Sequence, residues 1–380
     1  MKKQRTSLIR NDGFQTLLAS LICIIGGLLV GFIALLIIKP EGAFEAIVAV
    51  MKSFFRYPGN MRYKYFGQTL VRTAPLIMCA LSVLFAYKVG MFNIGVAGQY
   101  VAGACAGLYA ALAWKLPWLP CMLIAMIAGS LLGAVSGWLK TKFNVNIVIS
   151  GIMLNWIMLY LTNMILNKVK SPSSPFTMSI RGTNPSALIP SLGLEKLFRN
   201  EKSVTIAIPL AIIIAIVICI ILNKTKFGYE LKATGLNCNA AKYCGMNDTK
   251  NIIVTMMISG ALAGLGAAFL YLSGIEEWET TISSVPAMGF NGIAVAFLGG
   301  LSPIGSILSA FFIEYITTGG SNVDLQVYSS QISSLISALI IYLCAFVVFF
   351  KFILKKVLNK RDEKKVTTQR AAEAEKGGED

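Results

Sequence analysis

Residues 223–251 read NKTKFGYELKATGLNCNAAKYCGMNDTKN, a polar, lysine-bearing island between two apolar runs at 204–222 and 252–272. Each run is about long enough to cross a bilayer, which makes the island a loop displayed on one membrane face. It does not read as a slack connector. Gly228 and Gly235 punctuate it, and 237–243 is a short alanine-containing segment suited to about two turns of helix. A loop with that much local order is expected to meet a partner.

The same alternation of apolar runs and polar breaks fills the rest of the chain. Of 380 residues, 56% are hydrophobic and 14% charged, against roughly 25% charged in a soluble domain. The runs are continuous rather than alternating, so the spans are helices and not barrel strands. The net charge of +16 fits the cytoplasmic bias of lysine and arginine beside membrane spans. No basic-aromatic platform stands outside the spans to bind nucleic acid. Most of the eight cysteines lie inside apolar runs as small core side chains, and Cys238 and Cys244 share the loop at a spacing that matches no metal motif. The chain has no histidine, which removes every His-dependent triad, and no G-x-x-x-x-G-K-[ST] loop to cradle phosphates. No catalytic residue, metal or cofactor is therefore expected on this chain.

Lys2, Lys3, Arg5 and Arg10 precede a first apolar run at 17–38, too long for a signal peptide and with no small-residue cleavage site before Lys39-Pro40. It is expected to persist as a first helix with a cytoplasmic N-terminus. Segment 41–68 carries Phe44, Ile47, Val48, Met51, Phe54 and Phe55 near helical spacing beside Lys52 and Arg56, the pattern either of a helix on the outer membrane surface or of an ordinary loop. Spans follow at 69–87, at 104–113 after a break, and at 119–139, 147–166, 204–222, 252–272, 287–300, 303–316 and 332–350. Gly129, Gly133 and Gly137, with Gly260 and Gly264, lie four apart and permit close helix contact. The prediction is an all-α, polytopic membrane protein of about ten transmembrane segments with both termini cytoplasmic. Residues 1–350 form the transmembrane domain, with 167–203 a proline-rich extracytoplasmic loop and 223–251 a cytoplasmic loop; 351–380 form a charged cytoplasmic tail.

Two stretches resemble each other, GMFNIGVAG from Gly90 and GFNGIAVAFLGG from Gly289. Glycine-broken spans at matching places in two halves point to a transport path, because unwound backbone at depth is tolerated only where it lines a cavity or protein. The competing reading is that these glycines merely let helices pack. Phe92, Asn93, Gln99, Phe290 and Asn291 are the path candidates near the breaks, and their uncharged polar groups suit a neutral polar substrate. Asn155 and Trp156 in the 147–166 span join them, as does Glu314, an intramembrane carboxylate with no evident cationic partner in sequence.

Three stretches, FNIGVAGQ at 92–99, ELKATGLNCNAAKYCGMN at 230–247 and GFNGIAVAFLGGLSPIG at 289–305, resemble in order and spacing the permeases of ABC importers. The specific likeness is to the nucleoside and simple-sugar group related to ribose and branched-chain amino acid permeases, and it covers about residues 65–350. The resemblance implies that the loop is a coupling helix docking on an ATP-binding subunit, through Gly235, Leu236, Asn237, Ala240, Ala241, Tyr243 and Gly245. Small residues would allow close approach there, with Leu236 and Tyr243 as apolar anchors. It further implies ATP on that partner subunit, a second permease subunit that is a different chain, an extracytoplasmic substrate-binding lipoprotein, and residence in a bacterial plasma membrane. The chain departs from the group at Ala97 and Asn291, where members commonly carry acidic residues. The function expected is nucleoside import by alternating access, with a simple sugar such as ribose as the alternative substrate. An ion-coupled secondary transporter would need titratable groups at depth, which are scarce apart from Glu314.

Overall fold

A computed structural model describes residues 12–320 and scattered residues between 335 and 356. The span expected at 332–350 lies largely outside the described residues, as do both termini and nearly all of the 351–380 tail. Among the described residues the chain is helical, with two isolated bridges and no strand. The helices are α1 (Asp12–Ile38), α2 (Ala43–Lys52), α3 (Gly59–Tyr87), α4 (Val96–Leu112), α5 (Trp118–Phe143), α6 (Ile147–Leu166), α7 (Ile180–Thr183), α8 (Ala207–Lys224), α9 (Lys226–Leu236), α10 (Cys238–Tyr243), α11 (Asp248–Tyr271), α12 (Ala287–Leu298) and α13 (Pro303–Gly320). Six helices are long and apolar enough to cross a membrane, namely α1, α3, α5, α6, α8 and α11; α4 and α12 are shorter apolar helices.

Burial separates a centre from a ring. The most apolar window of α3 is 89% buried, against 22% in α1. On the ring, Leu21, Ile25, Leu29 and Ile33 of α1, Ile127 and Leu131 of α5, and Ile149, Met153 and Ile157 of α6 point outward. Water would not tolerate so continuous an apolar girdle, whereas lipid requires it.

The centre is two interlocked helix triplets. The central helix α3 packs on α11, α12 and α13, while α11 packs on α3, α4 and α5. Each thus leans on the pair that follows the other. Each also ends in tyrosine and then a left-handed glycine, Tyr87 with Gly90 at φ 76° and Tyr271 with Gly274 at φ 68°. Gly90 backs onto Gly235 of the 223–251 loop, and Gly274 onto Arg181 and Leu188 at the other end of the bundle. The triplets therefore run in opposite directions. Between α5 and α11, Gly129 and Gly133 meet the backbone of Met256 and Gly260, so the glycine spacing does produce the close contact expected of it.

The structure corrects three expectations. Segment 41–68 is not one surface element: α2 is short and amphipathic, and residues from Gly59 onward already belong to α3. The first break is confined to 88–95, and α4 runs unbroken through Gly98 and Gly103. The second glycine-rich stretch is not broken where the sequence suggested, since α12 continues through Gly289 and Gly292. These glycines serve packing: an added Cβ would lie 2.5 Å from Ala97 Cα at Gly289 and 2.6 Å from Cys79 Cβ at Gly292. The chain turns only after Leu298, where Gly300 and Leu301 take φ 64° and 54°.

At the end opposite the 223–251 loop, 167–206 is an ordered cover. Thr177 N donates to Trp278 O (2.9 Å) and Ile189 N to Leu272 O (3.0 Å), which stitches this segment to the one leaving α11, and Trp278 Nε1 donates to Asn163 Oδ1 (2.9 Å), which ties the latter to α6.

Candidate functional site

The 223–251 loop is built by three side-chain caps. Thr225 Oγ1 accepts from Gly228 N to start α9, Asn237 Oδ1 accepts from Ala240 N to start α10, and Asn247 Oδ1 accepts from Lys250 N to start α11. Each satisfies a donor that the first turn of a helix leaves free, and each fixes a change of chain direction. Gly245, at φ 81°, makes the turn between α10 and α11. Asn251 Nδ2 donates to Thr234 Oγ1 (3.0 Å), tying α9 to α11.

This mounting sorts the loop residues named from sequence. Leu236 is 88% exposed, Tyr243 95% and Tyr229 66%, the large apolar side chains the loop holds out into solvent. Asn237, Ala240 and Gly245 are exposed beside them. Ala241, by contrast, is buried against the chain itself, and Gly235 presses on the backbone of Lys88, Val89 and Gly90. Ala241 belongs to the mounting of the loop, and Gly235, itself exposed, is the point at which that mounting reaches the surface. A cavity of about 560 Å³ lined by Asn247, Thr249, Lys250, Ile253 and Val254 flanks the same surface.

Because Gly235 rests on residues 88–90, the loop touches the break between α3 and α4 directly. A buried polar cluster sits next along that break. Asn93 Nδ2 donates to Gln99 Oε1 (2.9 Å) and to Ser259 Oγ (2.8 Å), and Ser259 Oγ donates to Ser82 O (2.8 Å). Gln99 Nε2 finds no acceptor among the described residues. The cluster joins α3, the break, α4 and α11, the elements of both triplets. Lys88, at the start of the break, is held below the usual lysine range, first by burial and then by the charge of Lys232 on α9.

The remaining candidates scatter. Asn155 is buried, but its Oδ1 accepts from Gly98 N (2.7 Å) and its Nδ2 donates to Ile94 O (3.1 Å), so it holds α6 to the start of α4. Trp156 is exposed on the outer side of α6 and stacks on Tyr160. Phe92 is half-buried with its ring 6.1 Å from Phe297, Phe290 is exposed, and Asn291 is half-buried. Glu314 is buried and accepts from Thr318 Oγ1 (3.4 Å). Its cationic neighbour, missed in sequence, is Arg72 of α3, which hydrogen-bonds Glu276 and lies close enough to Glu314 for their charges to interact. The signal was present, since Arg72 is a charge inside an apolar run. Ser82 and Ser259 carried no such signal, being single hydroxyls among small residues.

The family described as branched-chain amino acid transport system / permease component matches residues 65–345. The chain is similar to the guanosine ABC transporter permease protein NupP of Bacillus subtilis, 35% identical over 314 residues, covering 82% of this chain and 87% of that protein. It is similar to the nucleoside ABC transporter permease protein NupB of Lactococcus lactis subsp. cremoris, 32% identical over 324 residues, 81% of this chain and 85% of that one. It is also similar to the glucose ABC transporter permease protein TsgB13 of Haloferax volcanii, 30% identical over 273 residues, 68% and 70% of the two chains. No solved structure matches.

Proposed function

The chain belongs to the branched-chain amino acid transport system permease family, and from that membership we propose that it is the membrane-spanning permease subunit of an ATP-binding-cassette importer that carries nucleosides. The observation that carries the substrate class is the likeness to a guanosine and a nucleoside permease over more than four fifths of every chain involved. A simple sugar is the second reading, favoured by the glucose permease match, which covers a smaller share of both chains.

In this reading the protein is a multi-pass plasma-membrane subunit of about ten spans with cytoplasmic termini, and the 223–251 loop lies in the cytoplasm. ATP is bound and hydrolysed on a partner subunit that receives Leu236 and Tyr243 as apolar anchors. The path is shared with a second permease subunit, a different chain, and is fed by an extracytoplasmic binding lipoprotein. The chain does no covalent chemistry. Its work is to convert movement of the loop into a change at the 88–95 break, a role supported by the contact of Gly235 with residues 88–90. Asn93, Gln99 and Ser259 are the polar groups placed to feel that change.

The test is uptake into proteoliposomes that contain the complete complex. Guanosine uptake is expected to need ATP and to be displaced by other nucleosides but not by ribose or glucose. Displacement by sugars alone would transfer the assignment to the second reading, and uptake driven by an ion gradient without ATP would overturn both.

A further inference from the structure

The start of α3, at the end opposite the 223–251 loop, differs from the rest of that helix. Residues 73–86 are buried without a break, whereas Met61, Arg62 and Tyr63 are exposed and Lys64, Gln68 and Arg72 half-buried. These last three stand four apart, which lines them up along one face of the helix. Each is held by a carboxylate of the cover or of the segment stitched to it. Glu201 Oε2 accepts from Gln68 Nε2 (3.1 Å) and lies 3.8 Å from Lys64 Nζ, while Ser203 Oγ donates to Glu201 Oε1 (2.8 Å). Arg72 Nη1 donates to Glu276 Oε1 as a second ion pair. Phe198 closes the same contact from the cover, its ring 5.8 Å from Phe66 and its Cβ 3.0 Å from where a side chain at Gly67 would begin. The side chains of Lys64, Arg72 and Glu276 keep 42%, 37% and 34% of their surface in solvent, and at that exposure an ion pair adds little to stability and parts easily.

Pro75 follows Arg72 by three residues, inside the helix. It has no N–H to give Val71 O, and its ring crowds that carbonyl, so the helix is weakest where the latched face meets the buried stretch. The part beyond is fixed by its packing. It runs about 18 Å from Pro75 to Tyr87, at 1.5 Å per residue, and leads into the 88–90 turn on which Gly235 of the loop rests.

We propose that residues 59–74 are a gate of the transport cycle at the end opposite the loop, swinging at Pro75 and latched shut by Glu201 and Glu276. That cycle is the ATP-driven import proposed for the chain, whereas the latch exists whatever is carried. Two experiments on the complete complex decide it. In lipid nanodiscs, with Cys238→Ser, Cys244→Ser and Cys344→Ser as background, Thr69→Cys places a thiol at a buried site on the gate. Glu276→Gln is expected to raise the rate at which a maleimide labels that thiol about two- to fivefold, the population shift that an exposed ion pair commands, with the unfolding midpoint unchanged. An unchanged rate, or a rise matched by a lower midpoint, would overturn the gate. In proteoliposomes with the same background, Gln68→Cys and Glu201→Cys, bridged by a disulfide-containing bismaleimide, are expected to abolish ATP-driven guanosine uptake until the bridge is reduced. Uptake by the bridged complex at the unbridged rate would equally overturn it. If the unbridged complex imports no nucleoside while Thr69→Cys still responds to Glu276→Gln, the substrate assignment falls and the gate stands.

Discussion

The first turn of α4 starts at Gly95, which has no side chain to accept the N–H groups exposed there, and the acceptor comes instead from α6, as Asn155 Oδ1 bonded to Gly98 N. Asn155→Leu keeps the volume and removes both bonds of that amide. It is expected to lower stability by about 1–3 kcal/mol, the cost of buried groups left without partners, read as a drop in the midpoint of thermal unfolding in detergent. Gly129 makes the converse demand. A Cβ there would collide with Gly260 O, whereas a Cβ at Gly26 would meet nothing within 4 Å. Gly129→Ala is thus expected to cost about 1–3 kcal/mol by overpacking while Gly26→Ala leaves the midpoint within error. Equal behaviour of the two variants would contradict the packing between α5 and α11.

Among the elements, the α9–α10 pair carries the clearest division between mounting and surface. Leu236→Asp and Tyr243→Asp alter side chains that touch almost nothing in the chain, so membrane insertion and unfolding midpoint should stay within about 0.5 kcal/mol of the parent. ATP-driven uptake should fall steeply in both, and normal uptake in the pair would remove the docking role. Gly235 and Ala241 are poorer probes, because changing either disturbs how the loop is seated. This division was only half legible in the sequence. The two-turn helix at 237–243 was visible because its composition announces local backbone geometry, whereas Gly228 and Gly235, which looked like punctuation, lie inside α9, and which face of a two-turn helix looks inward depends on α3 and α11, well over a hundred residues away in one case. The same limit explains α12. Its glycines looked like breaks because glycine weakens an isolated helix, and only the approach of Ala97 and Cys79 reveals them as packing sites. Long apolar runs, whose length alone decides their fate, were read correctly at α1, α5, α6, α8 and α11.

For the molecule as a whole, orientation has a direct chemical test. Cys238 and Cys244 are exposed on the loop, and the other cysteines among the described residues are buried or half-buried. In a Cys344→Ser background, an impermeant maleimide should label the chain in inside-out vesicles and not in right-side-out cells; the reverse pattern would invert the topology. Cys244 should react faster than Cys238, whose thiol is pushed up by burial and by its bond to Asp248 Oδ2 and so offers less thiolate. The interlocked triplets also set a schedule for biosynthesis. The partners that enclose α3 end at Gly320, roughly 230 residues after α3 itself is complete. At about 5–20 residues per second, translation leaves α3, with Thr73 and Ser82 along its sides, without those neighbours for about 10–50 s. Until the second triplet emerges, this helix needs shelter from the insertion machinery, and a chain truncated after α10 would present it to membrane proteases as an orphan.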